Sequence, residues 1–286
     1  MLNLTAPKEI QAILAARGLR PNHKFGQNFL IDRHVLDFIV EAADLKPGDR
    51  VLEVGPGLGA LTQELMEKSG RVLAVEKDEG LHAILADRWG TDPRLELRLG
   101  DALELDYGAV FAPDACRYLI ANLPYSVGTR IVVEAALQET PPERIVVLVQ
   151  KEVAERFVAK PRTVDMGTAS VWLQQIYDID IVRLVKPTCF WPAPEVTSAI
   201  VRMRRHNRLP LTHEERLKLQ AVTRIAFQHR RKQMATLFKG APDGLAATPE
   251  EMRAKLAALG LPETARAEEL TVEQWCEMVA PARMAG

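Results

Sequence analysis

The residues best suited to chemistry lie in the run LIANLPY, at positions 119–125, where an apolar stretch ends in an amide, a proline and an aromatic ring. The side-chain carbonyl of Asn122 and the backbone carbonyl of Leu123 offer two adjacent acceptors that can orient the hydrogens of an amino group. Pro124 fixes the backbone so that the Leu123 carbonyl points outward. Tyr125 offers a flat aromatic face on which a planar ligand can stack. The alternative is an ordinary strand-ending turn with a packing tyrosine.

A glycine-rich loop follows the first predicted buried strand, in the run VLEVGPGLG at residues 51–59. Gly55 and Gly57 stand where a strand turns into a helix, an arrangement that lets a ligand approach the backbone closely. Together with Ala60 the loop also fits the pattern of dinucleotide-binding proteins, and a tight turn without any ligand is a further alternative.

Two acidic residues end the next two predicted strands. Glu76 lies 21 residues after Gly55, where a carboxylate can accept both hydroxyl hydrogens of a ribose. Asp101, followed by Ala102, can accept a hydrogen bond from an adenine amino group. Because ligands bind at the carboxyl ends of parallel strands, two acids beside a glycine loop favour an adenosine-containing ligand over a role as exposed loop residues.

These residues need a sheet that brings successive strand ends together. Short β-branched runs alternate with helical patterns up to about residue 206, which predicts an α/β fold with a mostly parallel sheet. The predicted strands are residues 50–54, 71–75, 94–99, 118–121 and 145–149, with a helix at 58–68. Residues 179–185 and 198–203 lack an intervening helix, so we expect them to form an antiparallel pair at one edge.

The pattern changes after His206, and helices are predicted at residues 213–228, 233–238, 249–259 and 272–279. Thr248, Pro249 and the two acids that follow form a helix-start signal. We therefore expect two domains. An α/β domain occupies residues 1–206 and includes a short amphipathic helix from about Pro7, and a small all-helical domain occupies residues 207–286.

Composition and charge limit the classes of function. Of 286 residues, 47% are hydrophobic and 26% charged, as in ordinary globular proteins, and no apolar run is long enough for a bilayer span. The three cysteines are scattered, which argues against a disulfide framework or a metal cluster and favours a cytoplasmic protein. Net charge is −1, but residues 202–239 carry eleven Lys and Arg against two acids, so this segment is +9 and the remainder −10. We expect this basic segment to face a polyanion, the alternative being a solvated helical face.

Further motifs indicate a more specific class of protein. They are KFGQNFLID at residues 24–32, CFWPAPEVTSA at 189–199, AFQHRRKQ at 226–233, and LGLP with RAEEL at 259–262 and 266–270. With the glycine loop and NLPY, they make the chain resemble the ribosomal RNA adenine dimethyltransferases, most closely those of bacterial 16S ribosomal RNA, from about residue 8 to residue 278. The resemblance implies a Rossmann-like class I methyltransferase sheet with one antiparallel strand, and S-adenosylmethionine as cofactor.

The resemblance also implies roles for individual residues. Asn122 Oδ1 and the Leu123 carbonyl would accept the two hydrogens of an adenine amine, whose own lone pair is delocalised. The extruded base would stack between Tyr125 and Phe190, although core packing is the alternative for Phe190. Basic side chains at Arg230, Arg231 and Lys232 would contact RNA phosphates. Cofactor contacts are implied for Asn28, Leu30, Gly55, Gly57, Glu76, Asp101, Ala102 and Asn122. No metal is expected.

The implied substrate is a pair of adjacent adenosines near the 3′ end of 16S ribosomal RNA, each receiving two methyl groups within a partly assembled small subunit. We expect a monomer without membrane partners. Glu195 stands where the family more often has lysine, so we do not expect Glu195 to contact phosphate. Three alternatives stay open: a 23S ribosomal RNA methyltransferase of the macrolide-resistance type, a ribosome assembly factor with this fold, and a nicotinamide oxidoreductase, for which no hydride-transfer residues accompany the loop.

Overall fold

The structure is a computed structural model that describes residues 4–22, 26–237 and 248–280. Its contacts divide the chain into two compact units. The first comprises Met1–Ala154 and Ile179–Arg205, and the second comprises Glu155–Asp178 and His206–Gly286. No helix within the described ranges is both long enough and apolar enough to span a membrane.

The strands follow the predicted alternation closely. They are β1 (Phe29–Leu30), β2 (Arg50–Val54), β3 (Arg71–Glu76), β4 (Leu95–Leu99), β5 (Tyr118–Asn122), β6 (Arg144–Gln150), β7 (Tyr177–Val185), β8 (Phe190–Trp191) and β9 (Ser198–Arg205). Seven of these form one sheet in the order β4-β3-β2-β5-β6-β9-β7. The pairs from β4 through β6 are parallel, and β9 runs antiparallel to β6. The predicted mostly parallel α/β sheet with an antiparallel strand is confirmed.

The helices complete the two units. They are α1 (Pro7–Ala16), α2 (Arg33–Ala43), α3 (Ala60–Lys68), α4 (Glu79–Trp89), α5 (Tyr107–Val110), α6 (Gly128–Ala136), α7 (Lys151–Phe157), α8 (Thr168–Gln174), α9 (His213–Gln228), α10 (Met234–Leu237), α11 (Pro249–Ala258) and α12 (Val272–Val279). The predicted helices at 213–228 and 272–279 have the expected bounds. Residue 238, at the end of another predicted helix, lies outside the described residues.

Burial explains the central strands. The five residues between Arg144 and Gln150 in β6 are all apolar and at most 2% exposed. Such a continuous apolar run is typical of a strand covered on both faces, as the parallel part of an α/β sheet requires. The order of the strands reverses beside β2, with β3 on one side and β5 on the other, which makes a crevice at their carboxyl ends.

A second, two-stranded sheet was not predicted. In it β1 pairs antiparallel with β8, so that Phe29 faces Trp191 and Leu30 faces Phe190. The rings of Phe29 and Trp191 stack with their centroids 6.4 Å apart. Two-residue strands carry no hydrophobic periodicity, so only tertiary contacts can reveal them.

The helical unit includes a segment that the sequence analysis assigned to the first domain. Residues 155–178 pack with the helices after residue 206. In α8, the indole Nε1 of Trp172 donates a 2.7 Å hydrogen bond to the hydroxyl of Thr223 in α9, and the guanidinium of Arg224 lies 5.1 Å from the Trp172 ring centroid. These contacts give the apolar face of α8 a helical partner. The predicted cap of α11 is confirmed, since the Thr248 hydroxyl accepts from the Glu251 backbone N–H.

Candidate active site

A cavity of about 280 Å³ opens at the carboxyl ends of β2, β3, β4 and β5. The segment at residues 26–30 contributes one wall. All predicted cofactor and amine-binding residues of the first unit line this cavity: Asn28, Leu30, Gly55, Gly57, Glu76, Asp101, Ala102, Asn122, Leu123, Pro124 and Tyr125. Residues spread over almost a hundred positions of sequence therefore meet in one place, because parallel strands all end at the same edge.

Two glycines of the loop have a backbone conformation that other residues disfavour. Gly55 and Gly57 have φ angles of 68° and 62°, in the left-handed region that side chains disfavour. A Cβ atom on Gly57 would lie 3.3 Å from the Phe29 ring, and one on Gly55 would lie 3.7 Å from the Pro124 ring. The loop therefore lies close to both the residue 26–30 segment and the NLPY turn.

Glu76 ends β3 inside the cavity and is 6% exposed. Its Oε2 accepts a 3.0 Å hydrogen bond from the Gly57 N–H, and its Oε1 accepts a 2.9 Å bond from the Asp78 N–H. Burial raises the pKa of Glu76, and these backbone bonds oppose the rise. The Lys77 backbone N–H also bonds this carboxylate. With about four lone-pair sites, the carboxylate is fixed in place without being saturated and can still accept from a hydroxyl donor.

Asp101 follows β4 and is held by two contacts. Its Oδ2 accepts a 2.6 Å charge-assisted bond from the Lys77 ammonium, and its Oδ1 accepts a 2.9 Å bond from the Leu103 N–H. The bond from Lys77 is the main reason why the pKa of Asp101 is lowered. Asp101 is therefore an ionised acceptor at the cavity wall.

The Asn122 side chain has a fixed orientation. Its Nδ2 donates a 3.1 Å hydrogen bond to the backbone carbonyl of Asn28. Because that carbonyl only accepts, the atom facing it must be the amide nitrogen, and the Asn122 Oδ1 is turned to the other side. The Asn28 side chain in turn donates a 3.2 Å bond to the Gly26 carbonyl.

The NLPY turn ends the β5 ladder. The Leu123 N–H donates to the Leu148 carbonyl at 3.2 Å, and the Leu123 side chain is buried. The Pro124 carbonyl accepts from Gly128 N–H at 2.9 Å and so joins the turn to α6. Within the described part of the chain, no hydrogen bond engages the Leu123 carbonyl.

Tyr125, the last residue of the NLPY turn, is half-buried. Its hydroxyl and the Ser198 hydroxyl form a 2.5 Å hydrogen bond. Burial raises the pKa of Tyr125, so the phenol stays protonated at neutral pH.

Phe190, predicted to stack on a base, does not line the cavity. Its side chain is 2% exposed and packs in the main hydrophobic core with Leu30 and Leu36. Its backbone pairs with Leu30 in the small sheet. This placement matches the core-packing alternative, and it follows from the β1–β8 pairing that the sequence analysis missed.

Glu53 is a cavity residue that the sequence analysis also missed. It is the fourth residue of β2, it is 1% exposed, and its Oε2 has no hydrogen-bond partner among the described residues. Burial raises the pKa of Glu53 to about 8, the nearby Thr62 hydroxyl opposes the rise, and the charge of Glu76 adds to it. The available signal was a carboxylate inside the otherwise apolar run VLEV.

In the helical unit, the three residues predicted to bind RNA have two different environments. The Arg230 guanidinium binds the Glu268 carboxylate, with Nη2 to Oε2 at 2.9 Å, and donates a 2.8 Å bond to the Val164 carbonyl. Arg230 thus connects the end of α9 to two other segments of its own unit. Arg231 and Lys232 are exposed. Part of the basic segment is also paired internally, as in the bond from Arg208 Nη1 to Asp178 Oδ2 at 3.0 Å.

Comparison with known proteins identifies the class of enzyme. A model of the family described as ribosomal RNA adenine dimethylase matches residues 18–282. A relative from Syntrophotalea carbinolica, named ribosomal RNA small subunit methyltransferase A, is 39% identical over 256 residues, covering 90% of this chain and 94% of the relative. The solved 23S rRNA methyltransferase ErmE is 26% identical with a TM-score of 0.66, covering 91% of this chain and 100% of its own.

A dimethyladenosine transferase from Plasmodium falciparum has a TM-score of 0.72 at 21% identity, covers 86% of this chain and 94% of its own, and supports the fold. The family match extends over nearly the whole chain, and the site residues meet in one cavity of the matching fold. This chain belongs to the ribosomal RNA adenine dimethylase family of S-adenosylmethionine-dependent methyltransferases.

Proposed function

We propose that this chain transfers methyl groups from S-adenosylmethionine to the N6 amines of two adjacent adenosines near the 3′ end of 16S ribosomal RNA, giving N6,N6-dimethyladenosine. The observation that carries the proposal is the Asn122 amide, whose nitrogen is held by the Asn28 carbonyl so that its oxygen is turned away as an acceptor. The name of the Syntrophotalea carbinolica relative, a small subunit methyltransferase, supports the choice of RNA.

The residues of the cavity fit S-adenosylmethionine. Asp101 offers an ionised acceptor for the adenine amine, and Glu76 offers its remaining acceptor capacity to the ribose. Leu30 and Ala102 give apolar walls, and Gly55 leaves the backbone accessible to the methionine portion. When bound, the cofactor supplies an electrophilic methyl group on a sulfonium centre.

The chain's own residues make the amine reactive. Asn122 Oδ1 and the Leu123 carbonyl accept the two N6 hydrogens, which orients the nitrogen lone pair and favours a tetrahedral geometry. Both acceptors belong to a rigid turn, because Pro124 restricts the backbone and its carbonyl is bonded into α6. In each transfer the N6 lone pair forms a bond to the methyl carbon as the bond between that carbon and sulfur breaks, and one N6 proton is released to solvent. One N6 hydrogen is left after the first transfer, so the second transfer needs only one of the two acceptors.

The target base must leave its helix to reach the cavity. We assign the stacking face to Tyr125, since the predicted partner Phe190 is buried in the core. A base stacked on an aromatic side chain regains on the order of 1–3 kcal/mol, which offsets part of the cost of extrusion.

RNA affinity beyond the target base is proposed to come from the helical unit. Arg231 and Lys232 are exposed, and phosphate contacts by such side chains supply affinity without sequence choice. Arg230 is committed to Glu268 and Val164, so we propose that it supports this surface instead of contacting phosphate itself.

The test is methyl transfer from labelled S-adenosylmethionine to two substrates in parallel. One is small subunits from a strain lacking the modification, including partly assembled particles, and the other is protein-depleted large-subunit RNA. We expect label only in the small subunit. Label in the large-subunit RNA would favour the activity named for ErmE. Tight subunit binding without label in either substrate would favour an assembly factor.

A further inference from the structure

Ser198 is a fully buried residue whose hydroxyl bonds Tyr125, a residue of the cavity wall, and the mechanism above does not use it. It is 0% exposed, and its Oγ lies 2.5 Å from the Tyr125 hydroxyl oxygen. The two residues are 73 positions apart in sequence. A bond this short between a buried and a half-buried hydroxyl fixes the outer end of the Tyr125 ring.

The sheet topology explains why Ser198 reaches the site. Asn122 pairs with Leu148 in the parallel β5–β6 ladder, and Ser198 pairs with Gln150 two residues further along β6. Because β9 runs antiparallel to β6, its first residue lies at the edge where the parallel strands end. Ser198, the first residue of β9, therefore lies at the same edge of the sheet as the NLPY turn.

We propose that Ser198 is a positioning residue for methyl transfer, holding the Tyr125 ring at the angle that an extruded adenine requires for stacking. This inference rests on the proposed function. The Tyr125 hydroxyl lies on the χ2 axis, so the bond fixes the position of the ring's outer end. Because a phenol hydroxyl prefers to bond in the plane of its ring, the bond also opposes rotation over the otherwise broad χ2 well. Anchoring the ring during folding means that base binding does not have to order it, which keeps the N6 amine aligned with its acceptors.

A simpler role for the bond would be to satisfy a buried hydroxyl without influence on the reaction. The two roles differ in what they change. Loss of alignment lowers kcat, whereas the KM for subunits depends on phosphate contacts elsewhere and stays nearly constant. A merely structural bond would change the stability of the protein and leave kcat unaltered.

The experiment compares Ser198→Ala, Tyr125→Phe and the double variant in single-turnover and steady-state methyl transfer to small subunits. Each single variant removes the same bond, so we expect each to lose about five- to tenfold in kcat and the double variant to lose no more. KM for subunits and the dissociation constant for S-adenosylmethionine should change less than twofold. Ser198→Thr, which keeps a hydroxyl, should restore most of kcat.

Two control variants match the chemistry of the substitutions. Ser69→Ala removes another fully buried serine hydroxyl, which donates to the Leu65 carbonyl outside the cavity. Tyr107→Phe removes a buried tyrosine hydroxyl that has no partner in the described part of the chain. Both should keep wild-type kcat. A Ser198→Ala enzyme within twofold of wild type, or losses that multiply in the double variant, would overturn the inference.

A measurement without turnover separates this inference from the proposed function. Ring-flip rates of ¹³C-labelled tyrosines can be compared by NMR in the wild type and Ser198→Ala, with Tyr125→Phe assigning the signal. Faster flipping of Tyr125 in Ser198→Ala is expected, and unchanged flipping would contradict the anchor. Absence of methyl transfer by the wild type would refute the proposed function, and the ring-flip comparison would still decide the role of Ser198.

Discussion

The buried carboxyl of Glu53 predicts a pH-dependent loss of stability that a single substitution removes. Its pKa rises from an ordinary value of 4.5 to about 8 in the folded protein because the group is fully buried. Between these two pH values the folded chain keeps a proton that the unfolded chain releases. The free energy of unfolding therefore falls as pH rises from about 4.5 to about 8, and this contribution is flat above that range.

The magnitude follows from the shift. At about 1.36 kcal/mol per pKa unit, a shift of roughly 3.5 units limits the loss to about 5 kcal/mol. That is a large share of the ~5–15 kcal/mol by which domains are stable. Glu53→Gln removes the titrating group, so its stability relative to wild type should increase by several kcal/mol between pH 5 and pH 8.5.

The assay is urea unfolding followed by circular dichroism at pH 5, 7 and 8.5, on protein without cofactor. Glu67→Gln, which changes an exposed acid on α3, is the control and should follow the wild-type pH dependence. If Glu53→Gln and wild type lose stability in parallel over this range, Glu53 is already ionised in the folded protein, and our account of its burial is wrong.

Three further predictions concern turnover, RNA binding and stability. Asn122→Ala should lower methyl transfer by on the order of 10²-fold or more while the melting temperature stays near wild type, and near-normal turnover would remove Asn122 from the mechanism. Replacing Arg231 and Lys232 by alanine should flatten the salt dependence of subunit binding by about one unit of log–log slope per lost phosphate contact, whereas an unchanged slope would make them solvated surface residues. Arg230→Ala should instead destabilise the protein by about 1 kcal/mol, since its partly exposed pair with Glu268 is lost. A reduced salt slope without any stability change would reverse that assignment.

The sequence predicted the large sheet and most of the cavity because both depend on local patterns. Apolar runs mark the strands, and Gly55, Glu76, Asp101 and Asn122 each stand at a predicted strand end. In a parallel sheet the carboxyl ends of the strands lie at the same edge. The predicted strand ends were therefore enough to predict that these residues lie together.

What the sequence did not reveal depends on contacts between distant segments. The β1–β8 pair is too short to show periodicity, and it carries Phe190 into the core. Ser198 reaches the site only because β9 inserts antiparallel beside β6, next to β7 at the edge. The basic run around Arg230 looked uniform, but its partner Glu268 lies 38 residues away. Side chains whose partners lie far along the chain have no local signature.

The proposed reaction is dimethylation of adenine in small-subunit RNA at the cavity that contains Asn122. Its most direct test is mass spectrometry of the nucleosides and nuclease fragments from unmodified small subunits after incubation with this protein and S-adenosylmethionine. We expect N6,N6-dimethyladenosine at two adjacent positions near the 3′ end of the 16S RNA, and none with Asn122→Ala. Methyl groups on any other atom or nucleoside, or the same product from the Asn122→Ala variant, would contradict it.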